Sequence, residues 1–320
     1  MKKIALLQFS PNYLEAIKAA APDYEIVCVE TEEDAAKHLP EAEIVMGWQK
    51  AVITHCLKEN TELKWLQMWS AGVDSLPLAD IKKYGITVTN SSGVHPLPIA
   101  EYVFAMLLTF VREIHYSVRH QQDHFWDTRT RVDGNISLLN GKTIGILGAG
   151  VIGAEIAKVS KAFSMRVLGC RRSGKVLPEY DEMYAQAQLS EFLAQCDFVI
   201  NILPNTPETN YIMNDEAFAA MKQGAYYITA GRGPTTSTEA LISALQSGRL
   251  AGAGLDVTDP EPLPKDSPLW DFKNVIITPH NAGHRPDYAE CVMDIFVENL
   301  ESYVKDGKPC RNIINPDLAY

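Results

Sequence analysis

The chain has 320 residues, long for a single hydrophobic core, so two domains are expected. Its 46% hydrophobic and 22% charged content suits a globular enzyme, and a formal charge of -11 argues against nucleic acid or an anionic membrane as a main partner. An anionic small substrate stays compatible with that field, because a local basic pocket can oppose it.

Short apolar runs alternate with helical patterns from the first residues. "KIALL", "EIVCV", "EIVMG", "LKWLQM" and "GITVTN" read as strands, with "NYLEAIKAA", "EEDAAKHL" and "LADIKKY" as helices between them. This alternation predicts a parallel sheet covered on both faces. From Pro98 the segment "PIAEYVFAMLLTFVREIHYSVRHQQ" reads as one continuous helix with proline near its start. A second alternation follows "LLNGK", with six strands: "TIGILG", "MRVLGC", "FVINIL", "AYYITA", "LAGAGLDV" and "NVIITPH". Helices are expected near Ile152–Phe163, Asp215–Met221 and Glu239–Ser247. A long amphipathic helix, Pro286 to about Lys305, ends the pattern.

The six cysteines (Cys28, Cys56, Cys170, Cys196, Cys291, Cys310) are scattered without a C-x-x-C pair and read as buried, reduced thiols of a cytoplasmic protein. The apolar run after "MKK" is too short for a signal peptide, and no stretch reaches membrane-spanning length. Neither cysteine nor histidine shows zinc-ligand spacing, so no metal is expected.

Gly148, Gly150 and Gly153 form G-x-G-x-x-G between a strand and a helix that a second strand follows. Glycines so placed let backbone approach a pyrophosphate at a helix N-terminus, which predicts dinucleotide binding over a plain turn. Where an acid would take the ribose 2′-hydroxyl of NAD, the chain has Arg171, Arg172 and Ser173, with Lys175 beyond. A guanidinium there can neutralise a 2′-phosphate, so NADP is the expected cofactor, with NAD possible. The alternative is a solvated basic turn.

Later strand ends carry Arg232 in "AGRGP", Asp256 and Glu261 in "LDVTDPEPLP", and His280 in "TPHNAG". Singly, each has a structural explanation: a capping charge, a loop acid, a satisfied polar group. Together they offer an anion clamp, a proton carrier and a carboxylate to orient it.

With these pieces in place, the chain resembles the D-isomer-specific 2-hydroxyacid dehydrogenase family, and more closely its glyoxylate/hydroxypyruvate reductases. The matching segments are "SAGVD", "PIAEYVFAMLL", "GILGAGVIG", "LPNTPET", "AGRGP", "GAGLDVTDPEPLP" and "TPHNAG", in the family's order. The resemblance implies an α/β fold of two doubly wound parallel-sheet domains. A Rossmann cofactor domain, 98–284, would be inserted into a flavodoxin-like substrate domain, 1–97 and 285–320. It assigns His280 as proton donor, Glu261 as its partner and Arg232 as the grip on substrate. Ala71, Gly72 and Val73 would offer backbone N–H groups to the substrate carboxylate, against the alternative of an ordinary turn. Trp48 would wall the substrate side chain, or else pack in the core. Val151, Ile152, Pro204, Thr209, Ala230 and Gly283 join the glycines around the cofactor, and Asp256 accepts from its nicotinamide amide. The apolar helix after Pro98, with "HFWD" beyond it, resembles the segment through which relatives dimerise, although an interdomain core would bury it equally. Two features depart from the family: the arginine at 171 and Thr229 in place of the usual Asn.

The expected function is reduction of a small 2-oxo acid to the D-2-hydroxy acid by NADPH. An NAD-dependent phosphoglycerate dehydrogenase is the alternative within the family. Against it stand Arg171 and the lack of room for a regulatory domain after the last helix. A nucleotide-sensing corepressor of the same fold is the alternative outside catalysis, and the retained Arg232, Glu261 and His280 speak against it.

Overall fold

The computed structural model describes residues 2–126 and 136–317. The chain divides into two compact units, Met1–Val94 with Arg285–Tyr320, and His95–His284. In the first, β1 (Lys2–Leu6), β2 (Tyr24–Cys28), β3 (Ile44–Met46), β4 (Trp65–Gln67) and β5 (Thr87–Thr89) form a parallel sheet in the order β2-β1-β3-β4-β5. This is the flavodoxin-type order. Successive strand residues supply opposite faces: Ile4, Leu6, Ile44, Met46 and Trp65 enter one core, and Ala5, Val45 and Leu66 the other. Burial on both faces is why these strands read as unbroken apolar runs. Helices α1 (Leu14–Ala20), α2 (Glu32–His38), α3 (Lys50–Cys56) and α4 (Leu78–Lys83) connect them. A capping box starts α2: Thr31 Oγ1 accepts from Asp34 N, and the Asp34 carboxylate accepts from Thr31 N, both at 3.1 Å.

The second unit opens with α5 (Pro96–Val111) and α6 (Ile114–Gln121). The sequence predicted one helix here. Glu113 instead takes a left-handed φ of +53° and divides it. The break falls where burial ends: α5 sinks Val103, Leu107, Phe110 and Val111 into the core, whereas α6 buries nothing. The apolar face of α5 is therefore covered within its own unit.

Seven strands follow in this unit, all parallel: β6 (Thr143–Leu147), β7 (Arg166–Arg171), β8 (Glu182–Ala185), β9 (Phe198–Asn201), β10 (Ala225–Thr229), β11 (Leu250–Leu255) and β12 (Val275–Ile277). Their order is β12-β11-β10-β9-β6-β7-β8. The chain builds outward from β6 on one side, then crosses back to β9 and builds outward on the other. Ligand crevices in such sheets lie at this reversal, beyond the strands' C-terminal ends. Helices α7 (Val151–Ala162), α8 (Leu189–Leu193), α9 (Asp215–Ala220) and α10 (Thr238–Gln246) cover the faces. Sequence patterning predicted six strands and missed β8. It is an edge strand paired only with β7, and Tyr184 is its one buried residue, so it shows no apolar run.

The last helix, α11 (Tyr288–Asp306), belongs to the first unit. Phe296 and Tyr303 place their rings 5.5 and 5.3 Å from Trp65, and Tyr13 donates to Asp294 at 2.6 Å. Both units are thus parallel α/β sheets, as the sequence predicted. The thiols differ from expectation. Cys56, Cys170 and Cys196 are buried, but Cys28 and Cys310 are exposed, since Cys28 ends β2 and Cys310 follows α11. Among the described residues, no helix is long and apolar enough to cross a membrane.

Candidate active site

The glycine pattern joins β6 to α7 at the reversal point. Gly148 has a φ of +99°, and a Cβ there would lie 3.0 Å from the Ile202 carbonyl oxygen. A Cβ on Gly153 would lie 2.6 Å from the Tyr180 hydroxyl. These two glycines are required by the protein's own packing. Gly150 is different: a Cβ there would meet nothing nearer than the Gly148 carbonyl oxygen, at 3.9 Å. It forms the N-cap of α7, makes no side-chain cap hydrogen bond, and leads into exposed Val151 and half-buried Ile152. The open space beside this helix N-terminus fits a pyrophosphate approaching the backbone N–H groups.

Arg171 ends β7 partly buried, and Arg172, Ser173 and Lys175 stand exposed in the turn beyond it. A backbone hydrogen bond from Gly174 to the Arg171 carbonyl, 3.2 Å, closes that turn. One acid lies nearby. The Glu208 carboxyl is held below its ordinary range by its own backbone N–H and the Thr206 hydroxyl, and also by the charge of Arg172. After β9, Thr209 donates to the Pro204 carbonyl at 2.6 Å and accepts from Thr206 N at 2.8 Å. Its hydroxyl shapes the loop from within.

Beyond β10, Ala230 donates its N–H to the Asn201 carbonyl at 3.0 Å, and the Gly231–Arg232–Gly233 turn begins. A Cβ on Gly231 would stand 2.5 Å from the Leu203 carbonyl oxygen, and one on Gly233 would collide with the Thr258 carbonyl. The turn is wedged between two loops. Beneath it lies a buried polar network that sequence reading missed. Asn201 donates to Tyr227 Oη at 2.8 Å and to Thr235 Oγ1 at 2.9 Å, and Thr235 donates to the Arg232 carbonyl at 2.7 Å. An asparagine inside the apolar run "FVINIL" was the available signal, because buried amides are kept for their hydrogen bonds.

Asp256 follows β11 and is only 3% exposed. Its Oδ1 accepts from Thr278 Oγ1 at 2.6 Å and Asn281 N at 2.9 Å, and its Oδ2 accepts from Ala282 N at 2.9 Å. Its carbonyl also accepts from His280 N at 2.9 Å. One residue therefore holds the whole 278–282 loop. Within that loop His280 takes a φ of +52°, and its Nδ1 lies 2.7 Å from Glu261 Oε1. Both side chains are about half exposed, and Nδ1 is the ring nitrogen engaged by the carboxylate. Gly283 closes the loop against His95. Arg232, Glu261 and His280 all leave the C-terminal ends of strands in one sheet.

In the first unit, Ala71, Gly72 and Val73 form the turn after β4. Two side chains take its carbonyls: Asn90 donates to Ala71 O at 2.6 Å and Ser70 to Gly72 O at 2.8 Å. Asn312 Nδ2 in turn donates to the carbonyls of Asn90 and Ser92, at 3.1 and 2.8 Å. Trp48 is half-buried at the edge of a core, and its backbone N–H donates to Gln8 Oε1 at 3.3 Å. Arg285 forms a two-pronged pair with Asp287, both contacts at 2.6 Å.

Comparisons with known proteins give the chain a family. Residues 104–282 match the model of the D-isomer specific 2-hydroxyacid dehydrogenase NAD binding domain. The glyoxylate/hydroxypyruvate reductase B of Citrobacter koseri is 33% identical over 91% of this chain and 90% of its own. A crystal structure of a D-isomer specific 2-hydroxyacid dehydrogenase family protein from Aeromonas salmonicida superposes with a TM-score of 0.86 at 36% identity, covering 99% of each chain. An NADPH-dependent glyoxylate/hydroxypyruvate reductase from Sinorhizobium meliloti, in complex with NADP and sulfate, gives a TM-score of 0.83 at 25% identity, covering 100% of both chains. Family model, sequence relatives and superposed fold converge, and the chain belongs to the D-isomer specific 2-hydroxyacid dehydrogenase family of NAD(P)-dependent oxidoreductases.

Proposed function

We propose that this protein reduces a small 2-oxo acid, of the glyoxylate or hydroxypyruvate type, to the D-2-hydroxy acid with NADPH. The observation that carries this reading is the 2.7 Å contact between His280 Nδ1 and Glu261 Oε1, on the sheet that also presents Arg232. Two relatives bearing the name glyoxylate/hydroxypyruvate reductase, one of them with NADP bound, support the substrate class and the cofactor.

Reduction needs a hydride at C2 and a proton on the oxygen where charge develops. When bound, the reduced nicotinamide supplies the hydride. His280 delivers the proton from Nε2, while Glu261 accepts from Nδ1 and fixes the tautomer and the ring. Arg232 grips the substrate carboxylate and stabilises charge at the C2 oxygen. The His95–His284 unit is assigned the cofactor. Its Gly148, Gly150, Val151, Ile152 and Gly153 segment would hold the pyrophosphate, and Arg171, Arg172 and Ser173 the 2′-phosphate. Pro204, Thr209, Ala230 and Gly283 would line the cofactor's path, and Asp256 would accept from the carboxamide. The other unit is assigned the substrate, with backbone N–H groups of Ala71, Gly72 and Val73 on its carboxylate and Trp48 beside its side chain.

We also propose a homodimer. Ile114 and Val118, one turn apart on α6, are 47% and 53% exposed, and Trp126 is 83% exposed. Apolar surface of this kind marks an interaction face. Asp127 of the "HFWD" stretch lies outside the described residues. Light scattering on the eluted protein reads the mass directly.

Steady-state NADPH oxidation with a panel of 2-oxo acids, followed by chiral analysis of the product, tests the function. D-configured product from a short 2-oxo acid is expected. Absence of turnover across the panel would support a nucleotide-sensing role instead.

A further inference from the structure

The loop that carries His280 is tied to α5 through two hydroxyls. Thr278 Oγ1 stands 2.8 Å from Tyr102 Oη and donates to Asp256 Oδ1 at 2.6 Å. A threonine hydroxyl has one proton, and here the carboxylate takes it. Between the two hydroxyls Tyr102 must therefore be the donor. The chain runs one way, from Tyr102 through Thr278 to Asp256, and each link polarises the next. Tyr102 suits the first position. It sits among buried neighbours on a 16-residue helix, and burial pushes its phenol well above the ordinary range, which keeps the donor proton in place.

The acceptor count at Asp256 gives this chain its consequence. Oδ1 receives Thr278 Oγ1 and Asn281 N, which fills both its lone-pair positions. Among the described residues Oδ2, on a carboxylate that is 3% exposed, accepts from Ala282 N, and a carboxylate oxygen can accept a second hydrogen bond. The carboxamide N–H of a bound nicotinamide is a donor of the right kind for that position.

We propose that Tyr102 is a positioning residue: through Thr278 it fixes the Asp256 carboxylate so that one oxygen secures the His280 loop while the other offers its second acceptor position to the cofactor's carboxamide N–H. This rests on the function proposed above, and it adds a residue on α5 that touches neither substrate nor cofactor. Tyr102 thereby contributes to cofactor recognition and to the placement of the proton donor through one carboxylate.

The test is equilibrium binding, read by fluorescence, of NADPH and of its reduced 3-acetylpyridine analogue, in which a methyl replaces the amide NH₂. The unmodified protein should bind NADPH about tenfold to a hundredfold more tightly than the analogue, the scale of one hydrogen bond to a charged group. In Tyr102→Phe, which keeps the ring and removes only the hydroxyl, NADPH binding should weaken while the analogue is little changed, so the preference collapses. Thr278→Val should do the same and Thr278→Ser should retain the preference. That pair carries the test if Tyr102→Phe fails to fold. Equal weakening of both ligands in Tyr102→Phe, or an intact preference in Thr278→Val, would reduce Tyr102 to packing and overturn the proposal. Equal binding by the unmodified protein would also overturn it, while leaving 2-oxo acid reduction standing. Failure of reduction itself is read separately, as absent turnover.

Discussion

His280 and Glu261 meet through Nδ1 and Oε1 at 2.7 Å, although they lie on loops that follow different strands. The contact engages Nδ1, which leaves Nε2 for the proposed proton delivery. His280→Ala should therefore lower kcat by about 10²–10⁴-fold while leaving NADPH binding largely intact. Near-normal kcat would remove His280 from the chemistry. Glu261→Gln should be milder, lowering kcat less than His280→Ala does, because the amide can still meet Nδ1 but no longer fixes the tautomer as a carboxylate does. An unchanged kcat in Glu261→Gln would separate Glu261 from the proton transfer.

The Asn201 network gives a prediction in which stability and substrate handling change together. Asn201→Ala removes the bonds donated to Tyr227 Oη and Thr235 Oγ1, which keep Thr236 Oγ1 and the Arg232 carbonyl as partners, and takes from the Leu203 N–H the Oδ1 that accepts it at 3.1 Å. Losing these bonds and leaving that N–H without its partner costs about 1–3 kcal/mol, so melting should drop by several degrees. Because Thr235 holds the Arg232 carbonyl, KM for the 2-oxo acid should rise as well. A lower melting temperature with unchanged KM would confine the network to stability.

The thiols should divide by burial. Cys56, Cys170 and Cys196 are pushed up to about 12 by desolvation, so at pH 8 almost none is thiolate. Iodoacetamide should label exposed Cys28 and Cys310 first and reach these three only on unfolding. Peptide mapping of Cys196 alkylated in the native protein would contradict the packing described.

The basic turn after β7 gives the sharpest substitution. Under the proposed function, Arg171→Asp would remove a charged hydrogen bond to a 2′-phosphate and supply an acid for a 2′-hydroxyl. One such bond is worth about 1.5–3 kcal/mol, so kcat/KM for NADPH should fall about tenfold to a hundredfold while that for NADH rises. Raised salt should weaken NADPH more than NADH, because the turn is exposed. Parallel losses with both cofactors would place Arg171 away from the phosphate.

Much of this was legible in the sequence. Strands buried on both faces, such as β6 and β9, announce themselves as apolar runs, and the glycine pattern marks the strand-to-helix turn where a ligand can approach. Arg232, Glu261 and His280 could be named because each follows a strand. What stayed hidden depends on neighbours distant in the chain. The break at Glu113 reflects where the core stops covering the helix, β8 is an edge strand with one buried residue, and Asn90 acts on Ala71 only once β4 and β5 are paired. Tyr102 lies in an apolar helical run, and its hydroxyl meets Thr278 only when the fold brings the segment after β12 beside α5.

NADPH-dependent reduction is tested most directly by kcat/KM for NADPH and for NADH on the unmodified protein, with glyoxylate or hydroxypyruvate at one fixed salt concentration. A preference for NADPH of about tenfold or more is expected, from at least one charged hydrogen bond to the 2′-phosphate. Equal or better use of NADH would contradict it and leave Arg171, Arg172 and Lys175 as solvated surface charge.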